Sequence, residues 1–400
     1  MEAVRNNIRT NCLIQELDKG LAWYIGTHIT GGYKFLMQHY SEGDKICMFG
    51  FSRGAFTARC LAGMLHKVGL LPRSNMEQVE FAYSLYESRE PEDVARARKF
   101  KQTFSSDVAV EFIGVWDTVS SVGFGAPLLP FNASETFIRT FRHALALDER
   151  RAKFQPNAWQ YKQKCEHCFS LPRVQGDGVK NIEMLTEGIK YGHDSLCWCG
   201  DEKSYHNGEL TDILEVWFPG FHADVGGGNE KNTERVTLAN PSLRWMVTEI
   251  LKSKCGVIFK RDAFMDWLPT LKRRIHAFKA VSKKPPPNDS SSHVEEQDFE
   301  EHTIEEEAGA KMYDMLSEKP RWWILEVLPL YQYWLGEDKQ TTHGWRLNLG
   351  RPRKIDQHIP HLHTSVLRRR ETYPGYKPED RCTFRDQLKY VHEDDDLCIS

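Results

Sequence analysis

The chain has 400 residues, with Lys+Arg 53 against Asp+Glu 56 and a formal net charge of -3. Hydrophobic residues make up 40% and charged residues 27%, which excludes disordered, collagen-like and disulfide-scaffold classes. The near-balance of charge excludes a nucleic-acid-coating role, because phosphate binding needs a clustered basic excess.

The first residues, MEAVRNNIRTNCLIQELDKG, are polar and lack the apolar stretch of a signal peptide. A helix is predicted over Gly31–Tyr40, followed by a strand, KICMFG, at Lys45–Gly50. Helices follow over Gly54–Val68, Met76–Ser88 and Pro91–Phe104, then a strand at Val108–Val115 and a helix over Glu135–Leu147. A third strand, Asp212–Phe218, precedes a helix over Pro241–Ser253. Near-continuous apolar strands alternating with helices imply an α/β fold, with a mainly parallel sheet flanked by helices. Residues 1–275 are read as this α/β domain, with a cysteine-containing insertion at 160–208.

Composition changes near residue 281. A proline run, a serine run and a dense acidic stretch fill residues 281–308, which are expected to form a mobile linker. Residues 309–400 read as a helical or irregular C-terminal subdomain, whose Trp322, Trp323, Trp334 and Trp345 are expected in a core, with a lipid- or substrate-facing surface as the alternative. The apolar run from Arg321 to Gly336 is broken by Pro329 and falls short of the roughly 18 residues of a membrane span. With neither leader nor span, the chain is expected in the cytoplasm, and its ten cysteines as reduced thiols.

The sharpest motif is Gly50-Phe51-Ser52-Arg53-Gly54, a G-x-S-x-G. A bare match has little specificity, but this one lies between a predicted strand and a predicted helix, as a nucleophile elbow requires. Its serine sits on a tight turn that leaves little room for side chains at Gly50 and Gly54. The helix start offers the Arg53 N–H to an oxyanion. A serine nucleophile needs a base, and the base needs an orienting acid. Of sixteen histidines, His222 stands out because it follows a strand end and heads a glycine-rich loop. Asp117 follows the strand VAVEFIGV and completes the chain order Ser52, Asp117, His222. Asp224, two residues from His222, is the alternative acid, or a cap for the glycine loop.

A second cluster pairs Cys165 and Cys168 with Cys197 and Cys199. The C-x-C half has poor spacing for a tetrahedral metal, so four thiols in a surface insertion are expected, with a structural zinc as the alternative.

The blocks GFSRGAFTAR, FIGVWDTVSSVG, HALALDERRAKFQPNAW and VWFPGFHADVGGG resemble the signatures of one α/β-hydrolase family. That family is widespread in fungi and bacteria and forms the catalytic part of type VI secretion phospholipase effectors of the Tle1-like class. The resemblance implies a serine lipase or esterase with Ser52 as nucleophile, Asp117 as acid and His222 as base. It implies a lipid or small-ester substrate, peripheral contact with membranes, and no metal or organic cofactor. Family members begin with an earlier strand that closes on an Asp-Gly-Thr turn, and this sequence starts after that point. The loss of one oxyanion donor typically costs about 10²–10³ in rate. A catalytically impaired hydrolase acting as a scaffold is therefore one alternative function, and an esterase or thioesterase for soluble substrates is another.

Overall fold

A computed structural model describes residues 25–119, 138–159, 211–231, 233–234, 236–260, 305–335, 341–355, 359–383 and 385–391. The insertion cysteines Cys165, Cys168, Cys197 and Cys199 lie outside these residues, as does the expected linker up to residue 304.

Four long strands lie side by side in chain order: β1 (Ile46–Phe51), β2 (Val110–Trp116), β3 (Ile138–Ala146) and β4 (Asp212–Phe218). All their pairings are parallel. Later in the chain, β5 (Leu330–Leu335) and β6 (Thr341–Arg346) form a separate antiparallel hairpin. Then β7 (His361–His363) and β8 (Lys389–Val391) return to the main sheet beyond β4, again parallel. The result is a six-stranded parallel sheet in the order β1-β2-β3-β4-β7-β8.

Helices cover both faces. Residues 25–39 form α1, followed by α2 (Arg53–Val68), α3 (Val79–Glu87) and α4 (Pro91–Phe104). Pro91 opens α4 where its missing N–H costs nothing, Glu92 and Asp93 lie in its first turn, and Lys101 lies in its last. Along β2 the side chains alternate: Ile113 and Val115 join the core formed with α1 to α4. Phe112 points to the opposite face and joins Trp245, Met246 and Ile250 of α6 (Ala239–Ser253), which follows the short α5 (His222–Gly226). Gly114 lets α6 approach, since a Cβ there would lie 2.8 Å from the Met246 sulfur. The last helix, α7 (Thr364–Thr372), contributes Val366 to a third cluster with Leu145, Trp217, Ile355 and Leu362. A sheet buried on both faces favours apolar residues along its strands, and β2 is apolar at every position but Glu111.

Three expectations need correction. The helix predicted over Glu135–Leu147 is strand β3. Its central polar residues are buried: Arg142 binds Glu249 at 2.6 Å and Asp212 at 2.6 Å, and His143 binds Glu215 at 2.8 Å. These pairs replace the apolar residues a central strand ordinarily shows, and the remaining apolar spacing imitates a helix.

The end of the expected linker is also built in. Residues 305–309 are helical, and the carboxylate of Glu307 is buried against Arg244 of α6, at 2.9 and 2.5 Å. Further on, β7 and β8 extend the main sheet, and Leu362 and Val366 pack against Leu145 and Trp217 of its earlier strands. Finally, Trp323 and Trp345 are 39% and 61% exposed, and Trp322 is half-buried. Trp323 satisfies its indole N–H locally on the Leu316 carbonyl, at 3.0 Å, and its ring remains at the surface.

Candidate active site

Ser52 lies in the turn from β1 to α2 with φ 60 and ψ -122, a conformation that L-residues rarely hold. The sheet ladder extends into this turn, where the Ser52 N–H donates to the Trp116 carbonyl at 2.9 Å. A Cβ on Gly50 would meet the Gly54 carbonyl oxygen at 2.6 Å, so glycine is obligatory there. A Cβ on Gly54 would meet nothing within 4 Å, so the turn itself demands only the first glycine of the motif. Arg53 is exposed at the head of α2.

Asp117 follows β2 in a second left-handed turn, φ 39, its N–H donating to the Ala144 carbonyl at 2.7 Å. His222 follows β4 and opens α5. All three residues therefore stand at the carboxyl ends of parallel strands of one sheet, β1, β2 and β4, where an open α/β sheet places its ligands. Their side chains meet: Ser52 Oγ is 2.8 Å from His222 Nε2, and His222 Nδ1 is 2.6 Å from Asp117 Oδ2.

The electrostatics set the direction of each hydrogen bond. Burial by itself raises the Asp117 carboxyl, but the Arg353 guanidinium and His222 outweigh it and hold the group well below the ordinary carboxylate range. Asp117 is thus an ionised acceptor, and the Nδ1–H of His222 donates to it, which turns Nε2 toward Ser52 Oγ. The imidazole is packed between Phe51, with centroids 4.6 Å apart, and Phe154, edge-on at 4.8 Å. Gly226 leaves room for Phe51, because a Cβ there would fall 2.0 Å from the ring.

Asp224 caps the loop. It accepts the N–H groups of Phe221 at 2.9 Å and Tyr313 at 3.1 Å, and the Asn229 amide at 2.6 Å. Asp117, and not Asp224, reaches the His222 ring.

The stretch HALALDERRAKFQPNAW surrounds this centre. Glu149 accepts the His222 N–H at 3.2 Å and binds Arg151 at 2.7 Å, and Arg151 lies 3.5 Å over the Phe154 ring. Asp148 fixes the turn before His222 by accepting the Gly220 N–H at 2.8 Å. His143 accepts the Thr118 N–H on Nε2 at 3.0 Å, steadying the turn that carries Asp117.

Arg353 contributes to the site without any sign in the sequence. It is buried, and its Nη1 and Nη2 donate to the two Asp117 oxygens at 2.6 and 3.0 Å. One arginine among 53 cations, 236 positions from its partner, has no spacing that reveals it.

Comparison with known proteins agrees with this architecture. Residues 3–249 match the catalytic domain of the type VI secretion system phospholipase effectors, Tle1-like. An uncharacterized protein of Saccharomyces cerevisiae, YEL023C, is 28% identical over 507 residues, covering 96% of this chain and 73% of that protein. Among solved structures, an uncharacterized protein from Pseudomonas aeruginosa aligns at 18% identity with a TM-score of 0.26. That alignment covers 74% of this chain, which spans only 33% of the Pseudomonas chain. The Tle1 effector bound to the VgrG spike of the type 6 secretion system aligns at 13% identity with a TM-score of 0.33. It covers 83% of this chain and 72% of that one. Both scores mark a loose likeness, so the sequence match, which spans more than half of the chain, decides the assignment. The chain belongs to the Tle1-like phospholipase effector family, by virtue of its catalytic domain.

Proposed function

We propose that the protein is a serine hydrolase of lipid acyl esters, with Ser52 as nucleophile, His222 as general base and Asp117 as the acid that orients it. The observation that carries this reading is the unbroken hydrogen-bond chain from the Ser52 hydroxyl through the imidazole to Asp117, at 2.8 and 2.6 Å. Ser52 Oγ attacks the ester carbonyl carbon while its proton passes to Nε2. The tetrahedral intermediate then expels the alcohol, which takes that proton. Water attacks the acyl-enzyme by the same route, releasing a carboxylic acid and restoring the serine. The first N–H groups of α2, beginning with Arg53, supply positive dipole to the oxyanion.

The family favours a lipid substrate, and so does the surface beside the site. Phe154, which touches His222, also touches Trp322 at 5.6 Å. From there Trp323, Ile324, Val327 and Leu328 present exposed apolar side chains. The Leu349 N–H donates to the Glu326 carbonyl at 3.1 Å, which adds exposed Leu347 and Leu349 to the same face. No described helix is long and apolar enough to cross a membrane, so this face would meet lipid from one side.

A fluorophosphonate probe tests the core of the reading. The folded protein is expected to be labelled, and Ser52→Ala, with an unchanged circular dichroism spectrum, to lose the label. A folded wild type that stays unlabelled would overturn the assignment.

A further inference from the structure

A buried carboxylate has about four acceptor positions, and leaving them unmet is costly. Asp117 is fully buried and has all four in use. Its Oδ1 accepts the Ala146 N–H at 2.9 Å and Arg353 Nη1 at 2.6 Å. Its Oδ2 accepts His222 Nδ1–H at 2.6 Å and Arg353 Nη2 at 3.0 Å. The guanidinium is pinned in turn: Nη1 also donates to the Ala146 carbonyl at 2.7 Å, Nε donates to the Phe154 carbonyl at 3.1 Å, and Nη2 joins it there. The chain on either side is anchored as well. Gly350 N–H donates to Glu326 at 2.9 Å, and Ile355 exchanges backbone bonds with Arg381 and Thr383.

We propose that Arg353 is a positioning residue of the hydrolytic site, whose planar fork fixes the Asp117 carboxylate in the one orientation that holds the His222 ring. The proposal rests on the Ser52–His222–Asp117 reading. A fork that engages both oxygens prevents the carboxylate from rotating about its last bond, and a single-point cation leaves that rotation free. The same charge competes with an imidazolium for the electrons of Asp117, so it eases the release of the proton that His222 takes from serine.

The other charges around the pair are engaged elsewhere. Glu149, which accepts the His222 backbone N–H, is bound by Arg151, and Asp148 is bound by Arg381 at 3.0 Å. Asp224, on the same helix as His222, is occupied by backbone donors. His143, beneath Thr118, is neutral, because its Nε2 accepts an N–H. Arg353 is therefore the cation whose removal bears directly on the Asp117–His222 pair.

The test is made on the full chain, reading kcat and KM on a short-chain ester and the Ser52 labelling rate as functions of pH. Arg353→Gln is expected to slow labelling about 100-fold and to move the acid limb of the profile upward by about one pH unit. Arg353→Lys, which keeps the charge and loses the fork, is expected to lower kcat about tenfold with KM unchanged and the acid limb in place. A purely structural clamp would lower the melting temperature of both variants and leave the profile of the folded fraction unmoved. Arg353→Lys reacting at the wild-type rate would overturn the proposal, and it decides the matter if Arg353→Gln does not fold. Wild type that fails to label sinks the parent assignment together with this one. Labelled wild type with indifferent variants sinks this one alone.

Discussion

Gly226 shows how little freedom the His222 imidazole has. The Phe51 ring fills the space over it and lies 4.6 Å from His222, so a methyl group at this position must push the ring toward the imidazole. Gly226→Ala is expected to slow Ser52 labelling by about 100-fold while the circular dichroism spectrum is kept, since displacements of about 1 Å carry penalties of that size. At this scale the sequence was partly legible. Ser52, Asp117 and His222 could each be found because a strand end followed by a glycine or aspartate turn is a local pattern. The two possible roles of Asp224 could not be separated from sequence, because only the fold brings Tyr313 and Asn229 to it. Arg353 is invisible for the same reason: its meaning lies in a contact across 236 residues.

Among the elements, β3 was misread as a helix, and the cause is chemical. Arg142 and His143 sit in the middle of a buried strand because Glu249 and Glu215 reach them from neighbouring elements. Sequence periodicity counts such residues as solvent-facing. Strands β1, β2 and β4 are mostly apolar and were legible within two residues at either end, whereas the short or late strands β5 to β8 were read as helical or irregular chain. The His143–Glu215 pair gives this element a pH signature. Burial lowers the affinity of His143 for a proton in the folded state, while the unfolded chain titrates near the ordinary histidine value of about 6.5. As pH falls below that value the unfolded chain binds a proton that the folded one refuses, so stability is lost on acidification. In His143→Gln the amide can still accept from Thr118 and donate to Glu215, without titrating. Urea unfolding at pH 7 and pH 5 is expected to show a smaller loss of stability in this variant than in wild type. An equal or larger loss would mean that His143 is not a source of the slope.

For the molecule as a whole, the family match ends at residue 249, yet the site extends well past it. Glu326 is buried and accepts the Ala152 N–H at 2.7 Å and the Asn348 amide at 2.6 Å, tying the C-terminal segments to the stretch that carries Phe154. The exposed apolar face of residues 323–328 hangs from the same anchor, so its position relative to Ser52 is set by the fold. Ile324→Asp and Val327→Asp together are expected to reduce hydrolysis of vesicle-borne esters at least about tenfold, which corresponds to about 1.4 kcal/mol of lost lipid contact. Labelling of Ser52 in solution should remain at the wild-type rate. Equal losses in both assays would instead mean that the face supports the site and does not dock.

The reach of Arg353 to Asp117 also has a consequence in time. During synthesis the elbow and the glycine loop emerge long before residue 353, and until it arrives the Asp117 carboxylate has no guanidinium to accompany it into the interior. Ribosome-bound chains are therefore expected to carry an unfinished site. On the proposed reading, the protein would then acquire its reactivity only as the last part of its sheet is laid down.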